Sequence, residues 1–406
     1  MRSLSDKLKS MGVKVGAREL PPPAPRTEPY PIEQVVPGQF QATPHGEVFV
    51  VETTYPADYR HGRAGLWVTA SLQTIAEWAG EHRIAAGDLE HFVFLDTETT
   101  GLAGGSGTYA FLIGVGRYDG SDFRLTQFFM RDPLEEPAQL LALVEWLQPC
   151  ETLVTFNGRA FDVPLLNARF ITNGERSPLT GAAQLDLLHL ARRLWRDRLP
   201  SRALSQLELH ILAASRTHED IPGWLIPSVY FDFLRSGDAR PLKNVFYHNA
   251  MDILAMAALL THMADLIDDP LNGTLNHALD WPALGKLYEH LGYLDTAAAL
   301  YQRGLEEDLP EANYWESLQR LSFVYRRQGN LAAAVEVWRQ AAEGRQIYAY
   351  VELAKFYEHT ARDLTEAARW TEAALALVDL PQGPRSERRR WQPDLEHRLA
   401  RLRRKL

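Results

Sequence analysis

The hydrophobic pattern changes rhythm twice along the 406 residues. Before His91 it is sparse: Val48, Phe49, Val50 and Val51 mark a strand within Gly46 to Thr54, and Leu72 to Glu81 has the spacing of a short helix. From His91 the apolar residues gather in strand-length runs. One ends at Asp96, one spans Ala110 to Tyr118 and one Phe123 to Phe129, with Asp119-Gly120-Ser121 as a tight turn between the last two. That predicts an antiparallel meander. Helical spacing follows over Ala138 to Leu147, a strand over Thr152 to Phe156, a helix over Val163 to Phe170, and a short strand near Leu185 that leads into a helix through Trp195. Hairpin strands followed by alternating helix and strand predict an α/β domain, a mixed sheet with helices on both faces.

The last third is all-α in pattern and repeats itself. Tyr288, Tyr325 and Tyr357 recur with a period of about 32 to 37 residues, near that of tetratricopeptide repeats. Gly285, Ser322 and Ala354 precede them by three positions, and Tyr301, Trp338 and Trp370 follow by thirteen. Small residues let paired helices cross closely while the aromatics fill the groove between them. Gly292 and Gly329 follow the first two tyrosines by four, whereas Ala361 stands in the third place. A stack of three repeats needs cover at its ends, so contact with the central domain or a capping helix is expected.

These rhythms divide the chain into a flexible proline-rich arm (1–37, with Pro21-Pro-Pro-Ala-Pro25, Pro29, Pro31 and Pro37), an extension packed on the central domain (38–90), the α/β domain (91–268), the repeats (278–380) and a basic C-terminal helix (381–406). A net charge of −9 makes the surface as a whole a poor ligand for polyanions, so nucleic-acid binding has to come from local basic patches or bound metal. The single cysteine, Cys150, excludes an internal disulfide or a thiolate metal cluster and fits a reducing compartment, which makes the cytoplasm the expected location. No apolar block reads as a signal peptide or a membrane span.

Candidate chemistry begins where the first strand of the central domain ends, at Leu95-Asp96-Thr97-Glu98. Residues i and i+2 of a strand share a face, so the two carboxylates stand side by side, a costly arrangement that a hard divalent cation relieves. Thr99-Thr-Gly-Leu-Ala-Gly-Gly-Ser-Gly107 follows, but a strand pattern rather than a helix comes next, so it is not a dinucleotide loop. Its glycines either let a substrate strand approach the acids or make a wide turn. A second acidic element is Asn157-Gly-Arg-Ala-Phe-Asp162, and a third is Tyr247-His248-Asn-Ala-Met-Asp252, in which His248 and Asp252 lie at i and i+4 on one helical face.

Taken in order, these three segments resemble the exonuclease motifs of the DEDD superfamily, and within it the chain is similar to YprB-type bacterial proteins, which join a ribonuclease-H-like domain to tetratricopeptide repeats. Asp186-Leu-Leu-His-Leu-Ala-Arg-Arg-Leu-Trp and Asp220-Ile-Pro-Gly-Trp-Leu-Ile-Pro also look like that family. The resemblance implies two-metal, 3′-to-5′ hydrolysis of phosphodiester bonds in DNA or RNA, with Asp96, Glu98, Asp162 and Asp252 holding two Mg²⁺ or Mn²⁺ ions and His248 as general base. Thr99, Gly101, Leu102 and Asn157 are the substrate contacts it implies, and the repeats are its site for a protein partner. Histidine-type members place their base five residues before the last aspartate and tyrosine-type members four. Here His248 is at four and Tyr247 at five, and helical phase favours His248.

Other residues keep two readings. Asp186 is a helix N-cap or supporting acid, or else a ligand. Arg192, Arg193, Arg196 and Arg198 make a solvated helix face or position phosphate, and the arginines of the tail divide in the same way. His189 and His210 read as structural. The competing function is a noncatalytic adaptor built on a nuclease-like scaffold, against which the retention of four mutually repelling acids argues.

Overall fold

The structure, a computed structural model, describes residues 29–101, 107–148, 150–273, 275–380 and 385–406. Its main sheet has seven strands: β1 (Gln39–Thr43), β2 (Gly46–Tyr55), β3 (Phe92–Thr99), β4 (Ala110–Asp119), β5 (Asp122–Phe129), β6 (Thr152–Thr155) and β7 (Ala183–Asp186). The order is β1-β2-β5-β4-β3-β6-β7. β3, β4 and β5 form the expected antiparallel meander, β2 and β1 extend it antiparallel from one side, and β6 and β7 add parallel strands on the other. The extension is thus part of the sheet.

Both faces of the sheet are covered, which is why β3 opens with four consecutive buried residues rather than an alternation. Phe92 and Phe94 point into one core with α4 (Leu187–Trp195) and α7 (Leu242–Asp268). Val93 and Leu95 point into the opposite core with α2 (Glu136–Leu147) and α3 (Asp162–Thr172). Two further helices, α5 (Leu204–His210) and α6 (Ile226–Ser236), lie in the segment between α4 and α7, and α1 (Gln73–Ala79) belongs to the extension. α7 is long and apolar enough to cross a membrane, yet 67% of its most apolar window is buried inside the protein, as befits a core helix.

The proline-rich arm departs from expectation where it is described. Tyr30 bridges Asp238, and Ile32 and Val36 are buried in a third core with Phe49, Phe129 and Tyr230, so 29–37 is packed rather than flexible. Two apolar residues sufficed, a signal that proline content masks.

Beyond residue 278 the chain forms helical pairs: α8 (Asp280–Leu291) with α9 (Leu294–Leu305), α10 (Glu311–Arg327) with α11 (Leu331–Glu343), and α12 (Ile347–Phe356) with α13 (Leu364–Val378). In the first pair a Cβ on Gly285 would lie 2.8 Å from the Tyr301 ring, so the small residue is what lets the aromatic in. The missing third glycine has a local cause. A π-turn over Tyr357–Ala361 inserts one residue, and Arg362, not Ala361, takes the left-handed position (φ 57°) held earlier by Gly292 and Gly329. The stack is covered at both ends. α8 packs on α4, with Arg198 bonded to Asp280 at 2.6 Å and Arg193 to the Lys286 carbonyl. At the other end α14 (Arg385–Arg403) buries Leu395, Leu399 and Leu402 against the last pair.

Candidate active site

The site forms where β3 runs out of the core. Strand parity sends Asp96 and Glu98 towards α7, following Phe92 and Phe94, and sends Thr97 towards α3. The register with β4 slips between Glu98 and Thr99, and pairing resumes beyond the slip with Thr99 opposite Ala110.

Asp96 is fixed from α7 by Asn249, whose side-chain amide donates to its carboxylate at 2.8 Å. Asn249 is fully buried and in turn accepts a bond from Gln127 Nε2 at 2.9 Å. This amide lies directly over β4. A Cβ on Gly114, the residue registered opposite Asp96, would come within 2.1 Å of Asn249 Oδ1, so only glycine leaves room for it. Three residues unremarked in the sequence therefore set the first acid. Asn249 alone carried a signal there, as an amide three residues before Asp252 on the same helical face.

On the other side, Thr97 donates its hydroxyl to Asp162, the first residue of α3. The turn before α3 is held by Asp186, which accepts from the backbone N–H groups of Asn157 (2.8 Å), Arg159 (3.3 Å) and Leu188 (3.1 Å). Asp186 is thus a cap and a loop anchor, and Asn157 adopts φ 67° as it turns away from β6. Between these elements lies a cleft of roughly 280 Å³ lined by Thr97, Thr99, Gly101, Asn157, Phe161 and Asp162. Leu102, Gly104 and Gly105 fall outside the described residues. Phe161 is 57% exposed, an unusual state for a phenylalanine.

His248 and Asp252 occur on the same face of α7, with Nε2 at 3.7 Å from Asp252 Oδ2. The Nδ1 of His248 lies 2.8 Å from Asp220 Oδ1 and 3.3 Å from Arg216 Nη1, which orients the ring with Nε2 towards Asp252. Tyr247 points elsewhere, its hydroxyl accepting from the Thr217 N–H at 3.0 Å. Arg216 completes this side. It bonds Glu208 at 2.7 Å, lies 3.4 Å from Asp220, and donates to Asp252. Arg216 stands in a loop without periodic pattern, which is why nothing in the sequence singled it out.

Electrostatics distinguish these acids from the others. Burial, followed by the charges of Asp252 and Asp162, holds Asp96 well above the ordinary carboxylate range, and Glu98 is raised by burial and then by Asp96, Asp252 and Asp162. Burial also raises Asp162, although its bond from Thr97 opposes the shift. Oxygen-only donors that repel one another suit a hard divalent cation. Among the described residues, no three His, Cys, Asp or Glu side chains already stand as a closed ligand set. The expected convergence is incomplete because Arg216 draws Asp252 aside and Thr97 engages Asp162.

The arginine cluster on α4 divides: Arg193 and Arg198 turn inward to the helical pairs, while Arg192 and Arg196 stay exposed. His189 and His210, expected in apolar surroundings, are both on the surface. In the tail, Arg398 and Arg401 bond Glu358, so those two are structural.

Residues 93–264 match the RNase_H_2 family of the RNase H superfamily. Over 362 residues the chain is 30% identical to the uncharacterized protein YprB of Bacillus subtilis (strain 168), a span of 87% of this chain and 85% of that relative.

Proposed function

We propose a nuclease function from one premise: the chain belongs to the same family as YprB and carries an RNase H superfamily domain. The reading is a 3′-to-5′ exonuclease of the DEDD type that hydrolyses phosphodiester bonds at a single-stranded end of DNA or RNA, with two Mg²⁺ or Mn²⁺ ions held by Asp96, Glu98, Asp162 and Asp252. One observation carries it. Four carboxylates from three separate chain segments lie near enough to one strand end to feel one another's charge, and the two on β3 are strongly raised by burial and then by that repulsion. Such a cluster is a standing cost to folding unless cations join it.

Bound divalent ions supply charge stabilisation at the attacking and leaving oxygens of an in-line displacement. The protein residues do the rest. Asn249 keeps the Asp96 oxygens aimed, and His248, its ring oriented by Asp220 at Nδ1, offers Nε2 to take a proton from the attacking water. Thr99, Gly101 and Asn157 line the cleft for the sugar and phosphate of the terminal residue, and the exposed Phe161 ring is a surface on which a base stacks. The helical pairs, read as tetratricopeptide-like repeats, recruit a partner or guide the substrate.

A noncatalytic adaptor is favoured by one feature, the Asp252–Arg216 ion pair, which satisfies one acid without metal. Cleavage of end-labelled single-stranded and duplex DNA and RNA by the full chain separates the two. Products that require Mg²⁺ or Mn²⁺ and disappear in folded Asp96→Asn and Asp252→Asn variants are the nuclease outcome. Intact substrate under every metal, together with no stabilisation by Mn²⁺, is the adaptor outcome.

A further inference from the structure

Arg216 sits buried beside the acids, its side chain 8% exposed, with Glu208 at Nε, Asp220 and the His248 Nδ1 at Nη1, and Asp252 at Nη2. Glu208, with 2% side-chain exposure, is held from behind by His61 Nε2 at 2.8 Å. His61 belongs to a short hairpin, residues 60–65, of the N-terminal extension. A buried polar chain therefore runs from His61 of the extension through Glu208 and Arg216 to Asp252, and the hydrolysis outlined above uses none of its first three members.

We propose that Arg216 is a resident counter-cation of the acid cluster: it holds Asp252 while no metal is bound, and divalent ions load by drawing Asp252 away from it. The inference rests on the metal reading above. Arginine cannot give up its proton in a protein, so its charge opposes an incoming cation at every accessible pH. The Asp252 oxygen bonded to the guanidinium has less electron density to offer a metal, while Oδ2 is the oxygen nearer His248. Glu208, braced by His61, holds the guanidinium from the rear, so Arg216 stays behind when Asp252 moves. The extension thereby sets the threshold for metal loading. An arginine that merely orients Asp252 as a ligand predicts the opposite sign, because its removal would loosen the metal.

Mn²⁺ binding to the full chain without nucleic acid, read from the free-ion electron paramagnetic resonance signal, separates these. In the double variant Arg216→Gln/Glu208→Gln, which leaves no acid at position 208 without its partner, a cation in contact with Asp252 and an acid behind it are lost together; the nearer charge dominates, and the Mn²⁺ Kd should fall by about tenfold. Arg216→Lys keeps the charge and should stay within about threefold of wild type. An unchanged or weaker Kd in the folded double variant, with wild type binding normally, overturns the counter-cation and leaves the nuclease reading standing. Wild type that binds no Mn²⁺ overturns both. A check free of any variant is the pair of Arg216 side-chain resonances in wild-type protein: on saturation with Mg²⁺ the Nη2–H signal, bonded to Asp252, should move while the Nε–H signal, bonded to Glu208, keeps its place, and an Nη2–H signal that stays put contradicts the release of Asp252.

Discussion

The strand-end site and the helical pairs treat buried charge in opposite ways. In the helical pairs, acids meet cations: Glu358 with Arg398 and Arg401, Glu289 with Arg320, and Glu316 with Lys286. Burial alone would raise Glu358, but Arg401 and Arg398 bring it below the ordinary carboxylate range. Asp96 and Glu98 feel burial too, yet their nearest charges are other acids, and the reach of Arg216 is not enough to bring them down. Ion pairs that relieve one another are architecture. Repulsion left unrelieved, in a partly open cleft, marks the place where a ligand is needed.

That contrast can be broken from either side. The largest effect is expected at Gly114→Val, where the added side chain collides with the buried Asn249 amide. Overpacking and loss of the bond to Asp96 together should cost about 3 kcal/mol or more in chemical denaturation, and Mn²⁺ affinity should fall with it. Gly285→Val tests the helical pairs alone. The collision with Tyr301 should cost about 2 kcal/mol and lower the melting temperature, while Mn²⁺ affinity of the folded fraction stays at the wild-type value.

Acid should act through His262, which stacks on Trp195 between the two regions. Burial, then the charges of Arg63 and Arg198, lowers its pKa to about 4 from 6.5. A lowered folded-state pKa means that the unfolded chain takes up the proton first. The contribution of His262 is therefore complete above pH 6.5 and is lost as pH falls towards about 4, a decline on the order of 3 kcal/mol. His262→Phe should flatten this part of the stability–pH curve; an unchanged slope rules His262 out as its source. The smallest effect is stabilising: Arg362→Gly relieves a left-handed arginine and should add about 1 kcal/mol to the last helical pair, read by hydrogen exchange.

The two regions also differ in how much of them the sequence displays. The meander, the strand-end acids and the α7 pair His248 and Asp252 follow from periods of 2 and 3.6, which the residues carry locally. The Gly285–Tyr301 fit is legible for the same reason, as a spacing. What stayed hidden depends on contacts without a period. His61 and Glu208 are 147 positions apart, Arg216 lies in a loop, and Ile32 sits among prolines that suggest a linker. After Tyr357 a π-turn places the left-handed cap one residue later than after Tyr288 and Tyr325, which spacing alone registers only as irregularity. Asp186 shows the middle case: its place before a helix was readable, while its hold on Asn157 and Arg159 required the fold.

The central claim is that the strand-end acids form a cation site. Its most direct test is the number of Mn²⁺ ions bound per wild-type chain and per folded Asp96→Asn chain at neutral pH. Two ions in wild type, and none held with comparable affinity once Asp96 is neutral, is the predicted result. Wild type that binds no Mn²⁺, or an Asp96→Asn variant that binds it equally well, contradicts the account.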